Sequence, residues 1–476
     1  REAILSREIV ARTTSSSYST SRGPKHPPQT NDGPSASGRP HARHRRPTIR
    51  GRAAARARLA PGGLFCQWAH TYDISDADLR SIVATFAAVF PDGAVWLVGE
   101  SDILLTGGTQ AVDPWPAHVM RAWERPGVAA DLARVGVRDQ FSLLSMVAGT
   151  GQLLQTYGAG AAIQTDDHMP LEFSAPRHAL ARGPVERPRL VDVADLLRRP
   201  PTIAARIAAA TGAEWRNRGL MLLRASAYRM AYEAFSRAIE RDPRDEQASE
   251  GLVRAAVPAG QVDDALLRLR RVIARDSANV TARIEASRLL ASRGQIEEAS
   301  RMVVDPGVAP TPRERARMLA QAASVFADAG DAARLEPIVR ALEREHPDEG
   351  ITLFYAATER YLAGQAEEAL RLTELAVSRL PEARVHNMRG VALATLGRFD
   401  AARQAFNTAA DADPRDVATR VNLGLLELER GNPRAAAAQF AEALAVDPGS
   451  EAARAGLASA LDALGEHSRA ARLRRQ

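Results

Sequence analysis

Glycines recur at a nearly constant step through the second half of this chain. Gly260, Gly294, Gly330, Gly364, Gly397, Gly431 and Gly465 are separated by 34, 36, 34, 33, 34 and 34 residues. Prolines keep the same step, with Pro347, Pro381, Pro414 and Pro448 separated by 34, 33 and 34. A period of this length constrains the fold more than any composition does. A unit that short cannot bury its own apolar face and has to lay it on a neighbour, so the chain must stack in line. Within one unit the spacing is that of two helices. Trp215, Gly219, Ala231, Phe235, Ala238 and Pro243 set a frame that returns as Gly390, Ala402, Phe406, Ala409 and Pro414, and again as Gly424, Ala436, Phe440, Ala443 and Pro448. Small residues let the paired helices approach, the aromatic fills the gap, and the proline stops the second helix. The frame predicts seven full repeats beginning near residues 212, 246, 280, 316, 350, 383 and 417, with a partial one from 451. The second and third repeats lack the closing proline (Ser277 stands in one), and Val304–Pro312 is an irregular join, the expected bend.

The pattern W-x3-G followed by A-x3-F-x2-A-x4-P resembles the tetratricopeptide repeat. The resemblance implies a mainly α fold, an α-solenoid over residues 211–476, that holds a peptide or partner helix in a groove lined by the first helix of each repeat. Carried over position by position, it puts Asn217, Leu220, Phe354, Tyr355, Thr358, Tyr361, Asn387, Val391, Asn422 and Leu425 on that groove. Asn217 and Asn422 stand where members of that family hydrogen-bond a peptide backbone, and Asn387 is a further partner-binding candidate. Phe354, Tyr355 and Tyr361 are the candidate apolar anchors, with packing between repeats as the other reading of each groove residue. The mode in which such arrays clamp a terminal carboxylate needs groove lysines. The only lysine of the chain is Lys25, so that mode is not expected.

Charge divides the chain differently. Residues 1–60 carry 13 basic against 3 acidic residues, while the whole chain of 476 residues has a net charge of only +6. The remainder is therefore mildly acidic, and the nucleic-acid signal of a basic protein attaches to the tail alone. Residues 12–52 hold Tyr18 and Ile49 as their only large apolar residues, which predicts disorder for a tail over 1–52. The run from His41 to Arg46 lacks the interleaved aromatics that stack on bases, so nucleic acid is not the expected partner. Arginine supplies 62 of the 63 basic residues, the mark of a GC-rich coding sequence. The Arg/Pro/Ser/His-rich tail reads as an out-of-frame product of such DNA or as part of a degraded gene, with a genuine solvated tail as the other reading.

Residues 53–180 alternate differently. A short helix at Ala53–Ala60 stops at Pro61-Gly62-Gly63; Leu64–Trp68 reads as a buried strand with Cys66 in its core. A helical stripe follows over Asp76–Phe90, then strands at Ala94–Val98 and Ile103–Thr106 joined by a hairpin turn. Helix, strand, helix and hairpin in that order are how a doubly wound α/β sheet finishes. Leu59–Trp68, Asp78-Leu79-Arg80, Val89-Phe90-Pro91 and, further on, Thr165-Asp166-Asp167 with Pro170-Leu171-Glu172-Phe173 resemble the C-terminal part of a spermidine synthase-like (polyamine aminopropyltransferase-type) domain of bacteria. That family has a class I methyltransferase-like fold with a Gly-rich cofactor loop. No strand, GxGxG turn and helix precede residue 53, so the region reads as a remnant without its cofactor-binding half, and no cofactor is expected.

Gln67, His70, Tyr72 and Asp73, at or just past the end of the first strand, are the catalytic candidates if any activity survives. Asp166 and Asp167, with His168, are a further candidate acid/base or metal cluster, with a plain polar turn as the other reading. One cysteine excludes an internal disulfide and a thiolate metal cluster, and no metal is expected. No run of 18 apolar residues is present, and the chain reads as cytoplasmic. The expected organisation is a tail (1–52), a truncated α/β region (53–180), a linker (181–210) and the repeat array (211–476). The expected function is a protein-binding scaffold rather than an enzyme. The alternative is an aminopropyltransferase or methyltransferase-type transferase fused to a repeat array and incomplete in this chain.

Overall fold

The computed structural model describes residues 48–71, 74–99, 102–109, 119, 121–168, 199, 201–304, 308–309 and 311–475. The described chain divides into two compact units, one ending at Ala255 and one beginning at Ala256.

The first unit opens with helix α1 (Ile49–Arg56), where Thr48 caps the N-terminus by accepting from Gly51 N at 3.2 Å. The helix starts four residues before the expected Ala53, because the cap lies in the stretch that composition assigns to the tail. Strand β1 (Leu64–His70) follows the turn at Gly62, and helix α2 (Asp76–Ala87) begins with a reciprocal Ser75/Asp78 capping box. Strands β2 (Ala94–Val98) and β3 (Asp102–Gly108) form the expected hairpin. After helices α3 (Val128–Arg134) and α4 (Gln140–Leu144), strand β4 (Val147–Thr150) and helix α5 (Gly151–Gly158) close the region. The sheet order is β1-β3-β2-β4 and every described ladder is antiparallel, from Leu64 opposite Gly108 to His70 opposite Asp102 in the first. Because β3 inserts between β1 and β2, those two strands run in the same direction.

One face of this sheet is packed. Phe65 stacks on Phe90 at 5.4 Å and joins Leu79, Ile82, Val83, Phe86, Ile103, Leu105 and Leu154 in one core. The other face is open along β1: Leu64 and Trp68 are more than half exposed, and Cys66 is exposed between them. The expectation of a buried strand with Cys66 in the core is therefore corrected. An edge strand covered on one side buries only alternate residues. Residues 159–166 are tied to α2 by single hydrogen bonds. Ser81 Oγ donates to Ala162 O at 2.5 Å, Gln164 N donates to Thr85 Oγ1 at 2.9 Å, and Arg80 Nε donates to Tyr157 O at 3.0 Å. Helix α6 (Pro201–Ala208) leads into the first repeat, α7 (Gly212–Arg224) and α8 (Tyr228–Arg241), which packs on α4. Trp215 meets Phe141 edge-on at 4.9 Å, and Arg218 donates to Ser145 O at 3.1 Å. Helix α9 (Glu246–Ala259) ends the unit and carries the division within it.

The second unit is helical throughout its described residues. Its pairs are α11 (Val280–Ser292) with α12 (Ile296–Val303), α13 (Pro312–Asp328) with α14 (Ala332–Glu345), and α15 (Gly350–Leu362) with α16 (Ala366–Arg379). They continue as α17 (Ala383–Thr395) with α18 (Phe399–Ala412), α19 (Val417–Glu429) with α20 (Pro433–Val446), and α21 (Glu451–Ala463) with α22 (His467–Leu473). Helix α10 (Val262–Arg275) precedes them. All seven periodic glycines have φ between +66° and +82°, the left-handed turn that joins the two helices of a repeat. The same turn in the first repeat is made by Ser226, with φ +56°. The glycines inside helices serve close approach instead. A Cβ on Gly390 or Gly424 would sit 2.5 or 2.7 Å from the ring of Phe406 or Phe440. The second helices close on an aspartate whose carboxylate accepts from the backbone two residues on, at Asp413 and Asp447. Asp276 does the same before Ser277, so the turn survives where the proline is missing. The irregular join shows as a shortened α12 and a lengthened α13 that starts at Pro312, ahead of the expected 316. Residues 305–307 and 310 of the join lie outside the described residues.

Candidate interaction surface

In the second unit each first helix packs substantially against the first helix of the next repeat: α11 on α13, α13 on α15, and onward to α19 on α21. The second helices meet one another less closely, through side-chain ion pairs such as Arg334 on α14 with Glu297 on α12. Helices that touch at every step lie on the inner side of a curved stack, so the first helices form its inner row.

The centre of that row is polar at the surface and aromatic beneath. Phe354 and Tyr355 on α15 are buried, at 0% and 3% exposure, and meet edge-on at 5.0 Å. The Tyr355 hydroxyl is hydrogen-bonded to Ser324 on α13. Burial pushes its pKa up, opposed by the nearby Arg384 and Arg288, with Asp328 adding to the rise. Arg288 on α11 donates to Glu285 Oε1 at 2.6 Å and to Gln321 Oε1 on α13 at 3.3 Å. Arg384 on α17 lies 5.5 Å from the centroid of Phe354 and donates to Glu382 at 2.7 Å. Half-buried polar groups of three first helices, Arg288 on α11, Ser324 and Asp328 on α13 and Arg384 on α17, thus ring one buried tyrosine on α15.

Further along, Asn422 on α19 donates from Nδ2 to Asn387 Oδ1 on α17 at 2.9 Å. Asn387 is fully buried, and its own Nδ2 has no partner. His386 beside it is pushed below its usual pKa by burial and then by Arg389, and its Nδ1 is buried without a partner. Tyr361 is buried and bonded to Thr395, while Thr358 bonds back to Phe354 O at 2.9 Å. Val391 is buried, and Leu425 half-buried.

The frame therefore brings Asn387 and Asn422 together and puts Phe354, Tyr355 and Tyr361 into the packing under the row. Asn217 belongs to the first unit with half-buried Leu220, and its Nδ2 donates to Asp139 at 2.8 Å. Sequence reading missed Arg288 and Ser324, at the ninth position of their repeats, and Arg384, at the second. Their signal was polar residues at the second and ninth positions of the repeat frame, which the resemblance assigns to the groove.

The catalytic candidates separate. Gln67 Oε1 accepts from Arg52 Nε at 2.7 Å, whereas Asp166 pairs with Arg50 at 3.7 Å at the surface, so each is tied to a different arginine of α1. His70 ends β1 with its ring 5.4 Å from Trp68. Asp166 and Asp167 sit in a turn closed by Thr165 and His168, with Thr165 N donating to His168 O at 2.9 Å. Tyr72, Asp73 and the Pro170-Leu171-Glu172-Phe173 motif lie outside the described residues. Among the described residues no three His, Cys, Asp or Glu side chains are grouped to hold a metal, and no helix is long and apolar enough to cross a membrane.

Tetratricopeptide-repeat family models match residues 250–299 and 338–417, and a second such model matches 427–473. No curated protein matches the chain. Among solved structures, a tetratricopeptide repeat protein from Parabacteroides merdae is 14% identical, covering 52% of this chain and 98% of that one at a TM-score of 0.42. The APC/C hetero-tetramer Cut9-Hcn1 is 12% identical over 73% of each chain at 0.39. MamA from Desulfovibrio magneticus is 20% identical over 36% of this chain and 97% of that one at 0.28. The family-model matches fall between residues 250 and 473, and the spermidine synthase-like reading of residues 53–180 draws no support from them. Over residues 250–299, 338–417 and 427–473 this chain carries tetratricopeptide repeats.

Proposed function

We propose that this protein is an interaction scaffold that holds a peptide or partner helix along the inner row of first helices between residues 280 and 429. Tetratricopeptide proteins generally mediate protein–protein interactions, and the row has the means to do so. The observation that carries the reading is the Asn387–Asn422 pair, a side-chain ladder across two repeats that leaves a buried Asn387 Nδ2 without an acceptor. A buried amide donor left unpaired is unfavourable. A backbone carbonyl of a peptide bound across α17 and α19 would satisfy it once the side chains covering Asn387 give way. Arg288 and Arg384 flank the row with fixed positive charge, and Asp328 adds an acceptor between them. The test is selection of peptides from a random display library on the intact chain, followed by titration of the winners. Asn387→Ala and Arg384→Ala should each weaken the selected peptides at least several-fold while the helical spectrum is kept. Peptides that bind both variants as well as the parent would remove the inner row from the binding reaction.

The sheet region is proposed to be an inactive remnant of a transferase-like domain. The order β1-β3-β2, with β1 and β2 running the same way, supports the end of a doubly wound sheet. The enzyme reading makes a different prediction. Decarboxylated S-adenosylmethionine or methylthioadenosine would raise the melting temperature saturably, which an inactive remnant does not do.

A further inference from the structure

Arg52 is the buried charge that the fold does not account for. It lies on α1 with 2% exposure, and its Nε is used by Gln67, yet neither Nη1 nor Nη2 has a hydrogen-bond partner. Burial lowers its pKa to about 10, so it keeps its charge at neutral pH. An arginine held this way without a counter-charge is strongly unfavourable. Several polar groups at α1, α2 and residues 157–166 are already used. Thr48 caps α1, Asp78 completes the capping box, and Arg50 takes Asp166. Tyr157 donates to Asp76, while Ser81 and Thr85 bond the 162–164 backbone. On α1, β1, α2 and residues 159–166 the only other described orphan is Gln164 Oε1, an acceptor, and on the neighbouring β3 it is Asp102 Oδ1, opposite His70.

We infer that Arg52 binds the carboxylate group of a small molecule, with Nη1 and Nη2 each donating to one of its oxygens. With Nε committed to Gln67, the free edge of the guanidinium is the pair of terminal nitrogens, whose fork matches the two oxygens of a planar carboxylate. A phosphate would need further donors for its remaining oxygens, and the described residues around Arg52 offer no other unpaired donor. This site is independent of the inner row and of the transferase reading.

The experiment is thermal unfolding of the intact chain at constant ionic strength, with chloride replaced stepwise by acetate and, separately, by phosphate. Acetate should raise the melting temperature saturably. The rise should vanish in Arg52→Met and persist in Arg50→Met, a control on the exposed arginine of the same helix. No acetate effect, with Arg52→Met at least as stable as the parent, would overturn the site and leave a water-filled or empty seam. A response to phosphate without one to acetate would overturn the ligand class. Should Arg52→Met fail to fold, broadening of the carbon-13 resonance of acetate by the unsubstituted chain reads the same contact. Broadening retained in Arg52→Lys only at much higher acetate concentration supports the fork, and no broadening by the unsubstituted chain overturns it.

Discussion

The sheet region and the repeats after Ala256 solve the same problem in opposite ways. In the sheet region, contacts far apart in sequence are each made once: Gln164 on Thr85, Tyr157 on Asp76, β1 on β3. In the repeats a left-handed glycine between the helices recurs every 34 residues or so, and the contact of an aromatic with a glycine returns at Phe406 and Phe440. Redundancy makes the second kind of structure plain in a single sequence and spreads its stability over local units. The first kind has no second copy of any contact, and losing one affects the whole region.

The strongest test of that contrast is Phe406→Ala. The ring is buried against Gly390, and its loss should cost about 3–5 kcal/mol. Amide hydrogen exchange should show the loss confined to α17, α18 and their immediate neighbours. Uniformly faster exchange across all repeats would show that the array unfolds as one block instead. Gly390→Ala attacks the same contact from the other side by overpacking and should cost about 1–3 kcal/mol in urea denaturation. In the sheet region Thr85→Val removes the hydroxyl that accepts from Gln164 N and donates to Ser81 O. A loss of about 1–3 kcal/mol is expected there, with exchange rising throughout the region rather than near residue 85 alone.

Two smaller effects sharpen the picture. Ser226 holds the left-handed turn that glycine holds in the later repeats, so Ser226→Gly should stabilise the first repeat by about 0.5–1 kcal/mol, read as a higher melting temperature. His386 has a folded pKa below its unfolded value, so the unfolded chain binds its proton first as pH falls. Its contribution is intact above about pH 6.5, the ordinary imidazole value, and is lost as pH drops through the folded pKa. His386→Gln should flatten that part of the pH–stability curve, and an unchanged slope would clear His386 of the effect.

Some of the site was legible before any coordinates. The frame located the first helices, and the spacing of Asn387 and Asn422 put both on the inner row. It did not say that Phe354 and Tyr355 would be consumed by packing, because a periodic pattern assigns a helix face but not how deeply a side chain is covered. Asn217 shows the same limit: it sits at a groove position, yet Asp139 takes its amide. Cys66 failed for a related reason, since an alternating strand reads alike at the centre of a sheet and at its open edge.

What the sequence determined alone was everything that repeats or depends on local backbone chemistry: the helix pairs, the glycine turns, the aspartate closures and the β2–β3 hairpin. These follow from side-chain period and φ preference within a few dozen residues. What only the tertiary structure decided was set by partners distant in sequence. The insertion of β3 between β1 and β2, the packing of Trp215 on Phe141, the hydroxyl of Tyr355 on Ser324 and the unpaired charge of Arg52 all depend on which surfaces meet. Burial and hydrogen-bond satisfaction are properties of those meetings, and no local pattern encodes them.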